Sequence, residues 1–249
     1  MPHNSLVLAI ETSSRIGSVA IAVGKKMLAE TTFSAPLKHS AEIFPAISDI
    51  LKRFEQKPEK IEQIYISVGP GSFTGLRIAV TLAKTMHLAN AAKIIAVDTL
   101  DVIAANANDY IKDKNLKTEP PERIATILDS KRGQFFIAVY QHNSENTKQT
   151  ENNCKWEKIL PDSLMTSSQF LDQFTHSEKT IWLLGDGLLY HKKKFEADSV
   201  RFMDEKYWSP KASKVLLLGW EKVLANKFEN PLTLIPNYLL RPDIKVKPR

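Results

Sequence analysis

Short apolar runs dominate the first third of the chain, and their spacing sets its elements. Leu6–Ile10, Ser18–Val23 and Met27–Phe33 have strand length and are separated by polar turns, which predicts three successive strands. From Ser40 to Phe54 the period changes. Ile43, Phe44, Ile47, Ile50, Leu51 and Phe54 recur at i, i+3 and i+4, the mark of an amphipathic helix, and Pro45 is tolerable only in its first turns. Ile64–Val68 predicts a buried strand, Leu76–Asn90 a helix, Lys93–Val97 a strand and Leu100–Tyr110 a closing helix. The helix from Leu76 leaves almost no polar face, and such a helix must be covered on two sides.

The second half starts like the first. Ile124–Leu128, Asp129, Ser130, Arg132, Gly133 and Phe135–Val139 follow the order of Val7–Ile10, Glu11, Thr12, Ser13, Arg15, Gly17 and Val19–Val23. Each copy is an apolar strand, an acid, a hydroxyl, an arginine, a glycine and another strand. This long-period repeat predicts an α/β chain of two related lobes with hairpin-started mixed sheets flanked by helices. The expected division is a first lobe at 1–103, a second at 104–228 and a tail at 229–249. The Asn-, Glu- and Lys-rich stretch from Gln141 to Lys155 predicts an exposed hairpin loop, Ile181–Leu184 a strand broken by Gly185-Asp186-Gly187, and Ala212–Asn226 a late helix.

Between a predicted strand and a predicted helix stands Gly69-Pro70-Gly71-Ser72-Phe73-Thr74-Gly75. Three crowded glycines mean positive φ or close approach, and Ser72 or Thr74 can cap the helix, whose free N–H groups form an anion site. A P-loop would need Lys-Ser/Thr after Gly75, where Leu76 and Arg77 stand. A dinucleotide fingerprint would need glycine at Thr74. The bare alternative is a tight strand-to-helix turn.

Composition narrows the classes. The chain has 249 residues, 43% hydrophobic and 25% charged, which is ordinary for a globular protein. The early run Leu6–Ile10 is too short for a signal peptide or a membrane span, and the single cysteine, Cys154, makes no internal disulfide. A reducing cytoplasm is the simplest location. The net charge of +6 is concentrated after residue 210, where eight Lys/Arg face three Asp/Glu, with Lys245, Lys247 and Arg249 at the end. That tail and Lys192-Lys193-Lys194 read as solvated faces rather than phosphate contacts.

Four segments resemble the TsaB (YeaZ) family of tRNA threonylcarbamoyladenosine synthesis: Leu8–Ser13, Leu37–Glu42, Gly69–Val80, and Gly185–Gly187 with Pro236-Asn237-Tyr238. Gly-Pro-Gly-Ser-Phe-Thr-Gly-Leu-Arg is the most specific of them. The resemblance implies the actin-like ATPase and RNase H-like architecture. It further implies a non-catalytic scaffold or activating subunit that docks on a TsaD-like catalytic paralogue, with a TsaE-like ATPase and with tRNA reached through the complex. No cofactor is required on this reading, although ATP or ADP at the subunit interface is compatible with it; Thr12, Ser13, Gly69, Gly71 and Ser72 are the residues expected to face nucleotide or phosphate. Two departures stand out: Glu11 where many members carry Asp, and Tyr238-Leu239-Leu240-Arg241 where the family has Tyr-Leu-Arg.

Chemistry of its own finds little support. The paralogue's metal is held by two histidines one helical turn apart, whereas His39 is followed at i+4 by Ile43, so no metal site is expected. A G-x-S-x-G elbow is ruled out by Pro70 two places before Ser72. The alternatives are an independent ATPase or small-molecule kinase of the same fold, a peptidase, and a purely structural homodimer. The expected partner interface is the helix pair, through His39, Phe44, Ile47, Leu51, Leu76, Ala79, Ala83 and Met86, with homodimerisation through the same face when the chain is alone. Burial of these residues by the chain's own helices is the competing expectation, and Ala79→Arg separates the two.

Overall fold

The computed structural model describes residues 4–35, 38–115, 120–143, 155–176 and 179–239. Cys154, Leu37, most of the stretch from Gln141 to Lys155, and the tail with Arg241, Lys245, Lys247 and Arg249 lie outside the described residues.

Two five-stranded mixed sheets share one topology. In the first, β1 (Leu6–Glu11) pairs antiparallel with β2 (Ser18–Val23), which pairs with β3 (Lys26–Thr32). On its other side β1 runs parallel to β4 (Ile61–Gly69), and β4 to β5 (Lys93–Asp98), giving the order β3-β2-β1-β4-β5. The second sheet repeats this order with β6 (Arg123–Lys131), β7 (Gln134–Asn143), β8 (Lys155–Thr166), β9 (Ile181–Leu184) and β10 (Val200–Phe202), arranged β10-β9-β6-β7-β8. The repeat seen in the sequence is therefore a duplicated sheet of the actin-like ATPase and RNase H-like architecture. β1 is continuously apolar because both of its faces are covered, as central parallel strands usually are.

On one face of the first sheet lie α1 (His39–Arg53) and α2 (Phe73–Asn90). Ile43, Ile50, Leu51, Ala79 and Ala83 bury against Leu8, Ile10 and Ile64. The opposite face is covered by α7 (Ala212–Leu224), whose Val215 and Leu216 meet Val7, Ala9 and Tyr65. The late helix thus belongs to the first sheet, not to a second lobe ending at residue 228. The expected helix Leu100–Tyr110 is two helices, α3 (Thr99–Ala104) and α4 (Asn106–Asp113). Leu100, Ile103 and Ala107 enter the core of the second sheet. The lobes exchange helices, so a cut near residue 103 severs packed elements. The segment after α7 also returns to the first sheet, through Glu229 N–H to the Ile94 carbonyl (2.9 Å) and Asn237 N–H to the Val68 carbonyl (2.7 Å).

Among the strands and α-helices, four had no sequence expectation: β8, β10, α5 (Ser167–Phe174) and α6 (Leu188–His191). β8 carries Pro161 and alternates half-buried with exposed positions, as an edge strand can. α5 begins with a full capping box between Thr166 and Gln169, a T-x-x-Q signal present in the chain. No helix among the described residues is long and apolar enough to cross a membrane.

Candidate functional site

The glycine loop is locked onto the first hairpin turn. Ser72 caps α2 by accepting from Gly75 N–H (3.3 Å). Ser72 N–H donates to the Ser13 carbonyl (2.6 Å), and Thr12 Oγ1 donates to the Gly75 carbonyl (2.8 Å). A Cβ on Gly75 would overlap the Thr12 carbonyl oxygen, and one on Gly71 the Ser13 carbonyl oxygen. The three glycines therefore serve backbone-to-backbone approach. Of the residues expected to face phosphate, Thr12 and Ser13 are buried with their hydroxyls turned inward; Gly71 and Ser72 abut the same turn; Gly69 backs onto the Asn237 carbonyl. The loop and the turn are in direct backbone contact along this stretch.

Beneath the turn sits Glu11, 0% exposed. Its carboxylate accepts from Ser13 N–H (2.6 Å), from Ser13 Oγ and, across the sheet, from Ser67 Oγ. Burial pushes this carboxyl above its ordinary value, and the serine hydrogen bonds pull against that rise. The acid at the end of β1 is engaged on both of its oxygens by serines. Ser67 was missed in the sequence because it lies 56 residues from Glu11 and carries no motif.

Where the lobes meet, Arg15 bridges them. Its backbone N–H donates to Asp186 Oδ2 (3.4 Å) and its guanidinium donates to Tyr190 Oη. Asp186 is buried, which raises its pKa, while Arg15 opposes the rise. Asp129 at the end of β6 remains half-exposed, accepts from Lys131 N–H (2.8 Å) and lies 3.9 Å from His191 Nε2. No group of three or more His, Cys, Asp or Glu among the described residues is placed to hold a metal ion, and His39 and Ile43, one turn apart on α1, are both interior.

The helix pair corrects the expected interface. Leu51, Leu76, Ala79 and Ala83 are core residues. His39 is 3% exposed, with Nε2 at 2.9 Å from the Ser14 carbonyl, its ring beside Phe33 and its pKa lowered by burial. Only Phe44, Ile47 and Met86 of the eight reach the surface, Phe44 being 63% exposed and the other two half-buried. Ala79→Arg would break the core, and so cannot separate docking from folding. The true outer face is a groove of about 430 Å³ between α1 and α2, walled by Ser40, Phe44, Thr74, Arg77, Ile78, Thr81 and Thr85. A stripe of threonines at 74, 81 and 85 was the available signal. Beside it Phe73 is held between Arg77, whose guanidinium is 5.3 Å from the ring, and Tyr238 at 5.1 Å. The Pro236-Asn237-Tyr238 segment thus closes on the glycine loop.

Comparisons with known proteins agree with this geometry. Residues 33–246 match the family described as TsaD, tRNA N6-adenosine threonylcarbamoyltransferase. The tRNA threonylcarbamoyladenosine biosynthesis protein TsaB of Bacillus subtilis is 28% identical over 244 residues, covering 97% of this chain and 96% of its own. TsaB of Buchnera aphidicola subsp. Baizongia pistaciae is 30% identical over 182 residues, covering 73% and 75%. The solved structure of YeaZ from Pseudomonas aeruginosa superposes with a TM-score of 0.74 at 19% identity, covering 94% of this chain and all of that one. The Bacillus subtilis relative matches nearly end to end, so the match takes in Glu11, Gly69–Gly75 and Gly185–Gly187 on the duplicated sheet. The chain belongs to the TsaB (YeaZ) family, within the wider family described as TsaD.

Proposed function

We propose that this chain is a subunit of the complex that forms threonylcarbamoyladenosine in tRNA, and that it acts by docking its α1–α2 face on a TsaD-like catalytic paralogue. The observation that carries the reading is the groove between α1 and α2. It presents Phe44 and Ile78 outward from helices whose other faces are already spent on the first sheet. A ring as exposed as Phe44 at the centre of a concave, threonine-rimmed surface is what an interface anchor looks like before its partner arrives. A helix pair from a related subunit has the matching shape, and a stable union buries on the order of 800 Å² per partner. Alone, the chain pairs with a second copy through the same face. The TsaE-like ATPase and the tRNA are met in the assembled complex, and the compartment is the cytoplasm.

We assign no reaction step to this chain. In support, the Glu11 carboxylate is consumed by Ser13 and Ser67, and the glycine loop's two close approaches are filled by the Thr12 and Ser13 carbonyls. The chain needs no cofactor of its own on this reading, and ATP or ADP in the assembly meets it at the junction with its partner. Reconstitution tests the proposal: tRNA, the catalytic paralogue, the threonylcarbamoyl-adenylate-forming enzyme and the TsaE-like ATPase, with and without this chain. Modified adenosine should appear only with it, and Phe44→Asp should abolish the requirement's fulfilment. Full modification without the chain, or ATP hydrolysis by the chain alone, contradicts the reading.

A further inference from the structure

A cationic rim on the second lobe is left unused by the docking face. After β9 the chain turns through Gly185-Asp186-Gly187 into α6 (Leu188–His191) and a short 3-10 turn, Lys192–Phe195. Tyr190 stands 70% exposed, a large ring for a polar surface. Arg15 reaches it from the first lobe, donating to its hydroxyl, with the guanidinium carbon 4.9 Å from the ring centroid. His191 meets Phe135 edge-on at 5.2 Å and lies beside Asp129, which places α6 against the β6–β7 turn and its exposed Lys131 and Arg132. Phe195, fully buried 4.9 Å from Phe135, anchors the turn so that Lys192, Lys193 and Lys194 stay outside. Lys131, Lys192, Lys193 and Lys194 enter no ion pair among the described residues. The exposed acids nearby are Asp129, Glu196 and Asp198, so cations outnumber acids along the rim.

We propose that this rim binds RNA directly, with the lysines on phosphates and Tyr190, steadied by Arg15, as a stacking platform for an unpaired base. Lysines alone would suit any polyanion. The exposed ring held by a guanidinium at their edge is what favours RNA over an acidic protein or an anionic membrane, because only RNA offers flat bases along with closely spaced phosphates. The choice of RNA rests on the reading of the chain as part of a tRNA-modifying complex. The rim shares no residue with the lining of the α1–α2 groove, so the two are separable by mutation.

The test is fluorescence anisotropy of a labelled RNA hairpin with an unpaired loop, titrated with the full chain at several salt concentrations. Binding should weaken as salt rises. Lys193→Glu with Lys194→Glu should cost at least about tenfold and lower the magnitude of the log–log salt slope by about 1.4, at roughly 0.7 per phosphate contact. Tyr190→Ala should cost about tenfold with the slope unchanged, and Tyr190→Phe should restore most of it. These variants should still bind the catalytic paralogue, whereas Phe44→Asp should lose the paralogue and keep the RNA. Unchanged RNA affinity in the rim variants overturns the proposal, as does equal binding of the wild type to polyglutamate or to phosphatidylserine vesicles. Neither result would touch the docking reading, which fails if Phe44→Asp binds the paralogue normally.

Discussion

The two lobes put the same sheet to different use, and the loops after β4 and β9 show how. Both strands occupy the same place in their sheets; β4 ends in Gly69 and β9 is followed by Gly185, each with φ of +124°. Both loops fold back on the preceding hairpin: Gly71 and Gly75 on the carbonyls of Ser13 and Thr12, Gly185 and Gly187 on the backbone of Ile127 and Asp129. From there they diverge. In the first lobe the acid of the turn is swallowed by serines and an 18-residue helix follows, long enough with α1 to frame a groove. In the second the acid stays half in water and a four-residue helix follows, leaving room for Tyr190 and three lysines. The duplicated scaffold fixes where a loop returns. The length of the helix behind it decides what surface is offered.

That contrast is sharpest in the turns themselves. Gly75→Ala should unfold the chain or cost more than about 4 kcal/mol, because its Cβ would overlap a backbone oxygen that cannot retreat. Gly133→Ala, in the open turn of the second lobe, meets nothing within 4 Å and bears only its φ of +79°, a cost of about 1 kcal/mol. Chemical denaturation of both variants checks this, and similar losses would break the comparison. Within the helix pair, Ala79→Arg should cost on the order of 3–5 kcal/mol by forcing an unpaired charge into the core, whereas Thr81→Arg, on the groove wall, should leave the melting temperature nearly unchanged.

A smaller effect, in the first lobe's turn, depends on pH. The folded chain holds a proton on Glu11 that the unfolded chain has released above its ordinary value of 4.5. The stability this contributes is complete below that value and is lost as pH rises through the raised one. Glu11→Gln can keep the bonds to Ser13 and Ser67 without that loss, so its stability relative to wild type should grow as pH rises above 4.5. A Glu11→Gln difference that is flat across this range, measured by urea midpoints, would contradict the assignment of Glu11 as a buried carboxyl.

The strands of the first sheet were legible because each is a dense apolar run bounded by turn residues, and the duplication because Glu11, Ser13 and Gly17 recur as Asp129, Ser130 and Gly133. The destination of α7 was not, since an amphipathic period fixes that a helix packs but not on which sheet. The expected interface erred for a related reason. Leu51, Leu76, Ala79 and Ala83 lie on the apolar faces of α1 and α2, and in a helix pair lying on a sheet those faces turn inward. The outward face was marked instead by what interrupts the apolar run, Thr74, Arg77, Thr81 and Thr85, with Phe44 and Ile78 among them. The Glu11–Ser67 contact depends on strand neighbours far apart in sequence, and no local pattern reports it.

The most direct measurement is calorimetric titration of the TsaD-like paralogue with the wild-type chain, Phe44→Asp and Tyr190→Ala. The account predicts wild-type affinity for Tyr190→Ala and a loss of at least about 30-fold for Phe44→Asp, the scale of an anchor residue of 2 kcal/mol or more. Equal affinity for all three proteins, with each folded, would contradict it.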